Sequence, residues 1–209
     1  MKYIQIALQG GPIMYVIILC ALIAAYIFFL KWFQYYRAQV SVDEIVTGLI
    51  NVLGRDGMIE AMTLCDNTPG PVARLLASGI NAYRNGDDIK EALEAQSLIE
   101  VPRLESRLNI LATIAYVAPL LGLLGTVIGM VDSFQVMEAS GSSASIPELS
   151  HGVYKALMCT AAGLSIAIPC HIGYNYLLAR VQDFCLDMEK ASAEIMYFFH
   201  HHARSEHEN

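Results

Sequence analysis

Charge is what this sequence has least of. Asp, Glu, Lys and Arg make up 16% of its 209 residues, against about 25% in an average globular domain. The deficit is concentrated. Lys2 and Lys31 bracket 28 consecutive residues without any of the four, Arg107 and Asp132 bracket 24, and Lys155 and Arg180 bracket another 24. About 20 apolar residues carry a helix across the hydrocarbon core, and helices of soluble cores seldom run so far without a charge. Three spans are therefore expected, which sets aside three buried helices of a large soluble core. The first gap is too long for the apolar region of a signal peptide. It is followed not by a small-x-small cleavage site but by Tyr26, Phe28, Phe29, Lys31 and Trp32, so a retained anchor is expected.

Other absences narrow the function. The five cysteines, at 20, 65, 159, 170 and 185, form no CxxC pair; three fall inside proposed spans and read as small hydrophobes. A net charge of −7 without a basic patch argues against nucleic acid as a partner. No HExxH, nucleophile elbow, P-loop or pair of intramembrane acids is present, so an enzyme has no support. His200, His201, His202 and His207 have nothing to fix a ligand geometry and read as a solvated tail. Neither a cofactor nor a resident metal is expected. There is no sheet signal and no repeat.

What is present is helical. Lys and Arg number seven between Arg37 and Arg107, none between Asp132 and Gly152, and three in the tail (Arg180, Lys190, Arg204). That bias puts the middle segment and the tail in the cytoplasm, and the N-terminus and the 132–152 loop on the other side. Lys2 counts against this; Lys31 supports it if that helix end reaches the inner interface, with Trp32, Tyr35 and Tyr36 as an aromatic belt. The expected order is an outer N-terminus (1–12), span one (13–36), a cytoplasmic helical domain (37–107), span two (108–134), a periplasmic loop (135–150), span three (151–179) and a cytoplasmic helical tail (180–209). The fold class is all-α.

Within the middle segment, apolar residues at Val42, Ile45, Val46, Leu49, Ile50 and Leu53 mark one face of a helix, with Ser41 as its N-cap. Gly54–Gly57 is a turn, Met58–Cys65 a short helix, and Val72–Arg84 a third. Asn85-Gly86-Asp87-Asp88 caps a fourth over Ile89–Ile99, and Pro102 precedes the run into span two. The tail keeps an apolar row at Leu178, Val181, Phe184, Cys185, Met188, Ala191, Ile195 and Phe198, so span three is expected to continue as one long helix.

Spans two and three carry small and hydroxyl residues on one stripe each: Gly122, Gly125, Thr126, Gly129 and Ser133 in one, Gly152, Ala156, Thr160, Gly163, Ala167 and His171 in the other. Small residues let helices approach closely in lipid. Spacing alone leaves two readings open, packing within the chain and the lining of a central cavity.

The wording of these stripes carries a resemblance. Ala118-Pro119-Leu120-Leu121-Gly122-Leu123-Leu124-Gly125-Thr126-Val127 resembles the APxxGLxGTV motif of the ExbB/TolQ/MotA proton-channel family. The stretch from Ala156 through Thr160, Gly163 and Ala167 to Pro169 resembles that family's second motif, with Tyr174-Asn175 following it. The ExbB/TolQ branch fits better than the MotA branch, which usually has four spans and a larger cytoplasmic domain. The resemblance implies a multi-pass protein of the bacterial inner membrane, a homopentamer with spans two and three around a pore. It further implies a dimer of ExbD/TolR-like single-span partners whose aspartate carries the proton, and work delivered through a TonB- or TolA-like protein. TonB-dependent outer-membrane transport is the expected load; the alternatives are a Tol-Pal envelope-maintenance or gliding motor subunit, or a non-conducting membrane scaffold.

By that resemblance Thr126 and Thr160 are pore threonines, against the ordinary alternative of back-bonding to a carbonyl one turn earlier. The same resemblance makes Gly122, Gly125, Gly129, Ala156, Gly163 and Ala167 pore-lining small residues. Lys155 departs from the family, which usually has glutamate there. It reads either as a snorkelling lysine or as one half of an ion pair, with a partner's acid or with Glu148. His171 is an ionisable residue inside a span, hence a candidate for proton exit or a neutral histidine bonded to a carbonyl. Pro119 and Pro169 each remove a helix hydrogen bond, freeing the carbonyls of Ala115 and Ser165 and allowing kinks or simple packing.

Overall fold

The computed structural model describes residues 11–38, 42–55, 57–140 and 146–207. Among them the chain is helical, without strands, in seven helices: α1 Pro12–Ala38, α2 Val42–Leu53, α3 Met58–Asn67, α4 Pro71–Asn85, α5 Ile89–Glu105, α6 Leu108–Ser140 and α7 Ile146–His207. Three helices, α1, α6 and α7, are long and apolar enough to cross a membrane. Two compact units share the chain. One takes the chain up to Leu30 together with Arg107–Tyr176; the other takes Lys31–Ser106 and the chain from Leu177.

The first unit pairs α6 with the first part of α7. Large apolar side chains such as Leu120, Leu123, Val127, Leu157 and Ile168 stand exposed on it. An apolar exterior of this kind is what a bilayer or further helices would cover.

The second unit is a bundle of short helices with α4 against α3 and α5. Val46, Leu49, Leu75, Leu76 and Ile80 are fully buried, which accounts for the one-sided apolar pattern of α2 and α4. Local chemistry sets the ends. Pro71 opens α4 behind Gly70, and Gly86 closes it in a left-handed conformation (φ 78°), its N–H bonded to the carbonyls of Ala82 and Tyr83. Asp88 caps α5, its carboxylate accepting from the N–H groups of Lys90 and Glu91. Ser41 lies outside the described residues.

Three expectations change. The fourth helix of the middle segment does not stop at Ile99: α5 runs to Glu105 through Pro102, and the break into α6 comes at Arg107, a non-glycine residue at φ 69°. The helix that carries span two, α6, runs on to Ser140, past the expected span end at 134. The aromatic belt is not uniform either. Trp32 and Tyr36 face outward, but Tyr35 is 3% exposed and Lys31 only 2%. Both donate to the carbonyl oxygen of Leu104, at 2.7 Å from the Tyr35 hydroxyl and 2.9 Å from the Lys31 ammonium. That carbonyl is among the orphans at the C-terminus of α5, and a cation is the favoured cap there. Lys31 therefore serves the fold rather than marking an interface.

The long-helix expectation for the tail agrees with α7, whose second half buries Leu177, Val181, Phe184, Met188, Ala191, Ile195 and Phe199. The buried row starts one residue before Leu178 and ends one after Phe198. Phe199 stacks on Tyr83 with ring centroids 4.3 Å apart.

Candidate functional site

The α6–α7 seam is built from the absence of side chains. A methyl group added at Gly163 would lie 2.5 Å from the carbonyl oxygen of Ala118, and one at Gly122 would lie 3.0 Å from the Cα of Thr160. Gly125 faces the Cβ of Cys159 and Gly129 the Cβ of Ala156, at 2.5 and 2.9 Å from where their own Cβ would be. At Gly152 the obstacle would be the Ser133 hydroxyl. The two helices thus lie in close contact over about three turns of α7, and none of these glycines has room for a Cβ unless its neighbour shifts. Gly122, Gly125, Gly129, Ala156, Gly163 and Ala167 are all buried. Of the two readings of the stripe, close packing within the chain is the one this geometry supplies.

The hydroxyls use the same seam. Thr160 donates to the carbonyl oxygen of Gly122 across the interface at 3.1 Å. Thr126 donates to Leu123 in its own helix at 2.6 Å, the back-bonded arrangement. With both hydroxyl protons so engaged, each oxygen presents its lone pairs. As placed, these threonines accept a hydrogen bond, and rotation of a hydroxyl would let them donate. Both are half-buried, so neither is sealed inside the seam.

The remaining candidates fall into two groups. His171 is exposed and meets the ring of Tyr116 edge-on, with centroids 5.8 Å apart. Tyr116, 64% exposed, was not singled out from the sequence, because a tyrosine in an apolar run carries no spacing signal. Lys155 pairs with Asp132, Nζ to Oδ2 3.7 Å. The ion-pair reading of Lys155 therefore has its partner in this chain; Glu148 lies outside the residues whose side chains are described. Asp132 too was missed as a site residue, although it is the charge that ends the uncharged stretch of α6. Pro119 and Pro169 sit inside α6 and α7, which run through them. Among the described residues no group of three His, Cys, Asp or Glu side chains is placed to hold a metal.

The comparisons agree with the motifs. The family model described as the MotA/TolQ/ExbB proton channel family matches residues 67–190. An ExbB homolog of Methanothermobacter thermautotrophicus is 31% identical over 84% of this chain and 62% of its own length, so the chain spans less than two thirds of that relative. The biopolymer transport protein ExbB of Aquifex aeolicus is 38% identical over 57% of this chain and 80% of its own. The Tol-Pal system protein TolQ of Haemophilus influenzae is 38% identical over 44% of this chain and 42% of its own. The matched region contains both motifs and the whole α6–α7 seam, and the chain belongs to the MotA/TolQ/ExbB proton channel family, on its ExbB/TolQ side.

Proposed function

We propose that the chain is the pore-forming subunit of a proton-driven motor in the bacterial inner membrane. It acts as a homopentamer around a dimer of ExbD/TolR-like partners, each with one span and one aspartate, and energises TonB-dependent transport across the outer membrane through a TonB-like protein. The observation that carries the proposal is the pair of half-buried threonines on the glycine seam. Their oxygens are held where a carboxyl group of a partner helix can donate to them. A neutral, protonated carboxyl is the form that donates, and it is also the form that crosses a low-dielectric zone at least cost. Thr126 and Thr160 thus favour the loaded state of the carrier, and the close α6–α7 packing gives them a stiff frame. The middle segment and the tail lie in the cytoplasm, the N-terminus and the 135–150 loop in the periplasm.

An ExbB-type load is preferred over Tol-Pal envelope maintenance or gliding because the ExbB relatives match more of the chain than the TolQ of Haemophilus influenzae does. The test is Thr126→Val with Thr160→Val, a change of shape-matched side chains that removes both hydroxyls. In membrane vesicles holding the chain and an ExbD/TolR-like single-span subunit, proton flux should fall at least tenfold while the complex still assembles. Unchanged flux would leave the scaffold reading.

A further inference from the structure

The charges that end the uncharged stretches of α6 and α7 are Asp132 and Lys155, and they meet. Their charged atoms lie 3.7 Å apart, with side-chain exposures of 51% for the aspartate and 28% for the lysine. The pair stands six residues beyond Thr126 and five before Thr160, roughly 8–9 Å along the helix axes. It therefore lies on the outer side of the threonines in the proposed topology.

Lys155 does not reach away from this place as a snorkelling lysine would. Its stem and ammonium lie against Gly11, where a Cβ would sit 2.9 Å from Cε and 3.0 Å from Nζ. Gly11 is at φ 74°, a left-handed conformation that costs glycine least. The start of α1 thus backs the lysine, and the lysine holds the aspartate. An ammonium beside a helix N-terminus is electrostatically unfavourable by itself; Asp132 offsets it. The aspartate needs no such exposure to satisfy the lysine, yet half of its surface stays open. Charges at membrane depth are costly and are kept where they line a water path or face a partner.

We propose that Asp132 is the outer proton-accepting site of this chain and that Lys155 is its positioning residue. The inference rests on the motor reading above. The carboxylate of Asp132 takes a proton from a hydronium ion on the outer side, leaving water; the proton passes inward along hydrogen-bonded water to the ionised carboxylate of the partner helix at the threonine level, and Asp132 returns to its ionised form beside Lys155. No bond other than O–H is made or broken, and no oxidant or reductant is needed.

The experiment uses the full chain with its single-span subunit in inverted membrane vesicles. Proton flux is followed with a pH-sensitive dye, and assembly by native electrophoresis. Asp132→Asn should assemble and lose at least tenfold in flux, and Asp132→Glu should retain most of it. Lys155→Gln should lose several-fold and Lys155→Arg should restore it, a rescue that bulk at position 155 does not explain. Assembled Asp132→Asn with the parent's flux overturns the proposal. Should that variant fail to assemble, the exchange Asp132→Lys with Lys155→Asp keeps both the pair and a carboxylate at the site; an assembled exchange variant without flux overturns it as well. If the threonine double variant blocks flux while Asp132→Asn conducts, this inference falls and the motor reading stands. If the threonine variant conducts too, the motor reading is what has failed.

Discussion

At the residue scale, the seam predicts its own sensitivity. Gly163→Ala adds one methyl against the Ala118 carbonyl oxygen, which belongs to a backbone and cannot turn aside. The helix gains about 1 kcal/mol of propensity from such a change, but overpacking of a close contact costs about 1–3 kcal/mol, and two backbones must separate to relieve it. Gly173→Ala meets the ring of Phe28 at 2.9 Å instead, and a ring can rotate away. Thermal melting of the purified protein in detergent should show Gly163→Ala lowered clearly more than Gly173→Ala; equal melting points would deny the seam its rigidity. A second prediction concerns Cys65, 3% exposed in α3. Burial, reinforced by the neighbouring Asp66 carboxylate, pushes its thiol up to about 11 from an ordinary 9.0. The folded state holds that proton more tightly than the unfolded one. Its contribution to stability is therefore complete below about pH 9 and is lost as pH rises toward about 11. Relative to a Cys65→Ala control, chemical denaturation should show the parent losing stability across that window, with no difference in slope between pH 6 and 8.

At the element scale, α4 and α5 are joined by a buried carboxylate. Glu100 is 0% exposed and accepts from Arg74 through two nitrogens, at 2.9 and 2.6 Å, from Arg103 at 2.9 Å and from Gln96 at 3.1 Å. A bidentate guanidinium is the strong form of such a contact. Arg74 is itself nearly half exposed, so the penalty for losing it is screened, while Arg103 and Gln96 keep part of the network. Arg74→Ala should therefore destabilise by about 1–3 kcal/mol, and Arg74→Ala with Arg103→Ala by more than the sum of the two, because only the double change strands the buried charge. Urea unfolding of the four members of that cycle measures the coupling. Nothing in the sequence distinguishes Glu100 from the exposed acids around it. Its burial depends on α4 docking on α5, a tertiary fact without a local signature. The elements themselves were legible, since uncharged length marks spans and Asp88, Gly86 and Pro71 mark helix ends. Where the reading failed, a local rule was overridden from outside. The apolar pattern ends the fourth helix at Ile99, ahead of Pro102, but α5 continues past both, with its terminal carbonyl at Leu104 capped by Lys31 and Tyr35 from α1. Of the candidate site, the threonines and the glycine seam were visible as motif and spacing. The Asp132 and Tyr116 contacts were not, because each depends on the rotation of α6 against α7.

At the scale of the whole molecule, orientation is the property on which the proposed motor depends, because in that proposal protons enter beside Asp132 and leave at the other end. An asymmetry of charge favours one orientation. Seven Lys and Arg residues lie between Arg37 and Arg107 and none between Asp132 and Gly152, and positive loops stay inside at a cost of translocation that acidic residues do not share. The burial of Lys31 removes one supporting charge without weakening this count, since the seven lie outside α1 or at its end. The prediction uses single cysteines in a chain whose own five are replaced. Glu138→Cys, at an exposed position near the end of α6, should react with a membrane-impermeant maleimide added to intact spheroplasts. Arg84→Cys, exposed at the end of α4, should react only after permeabilisation or in inverted vesicles. The reverse pattern would turn the molecule over, place Asp132 and Lys155 on the cytoplasmic side, and make them an exit rather than an entrance. Labelling of both positions from one side would break the three-span count itself, since α6 would then fail to cross.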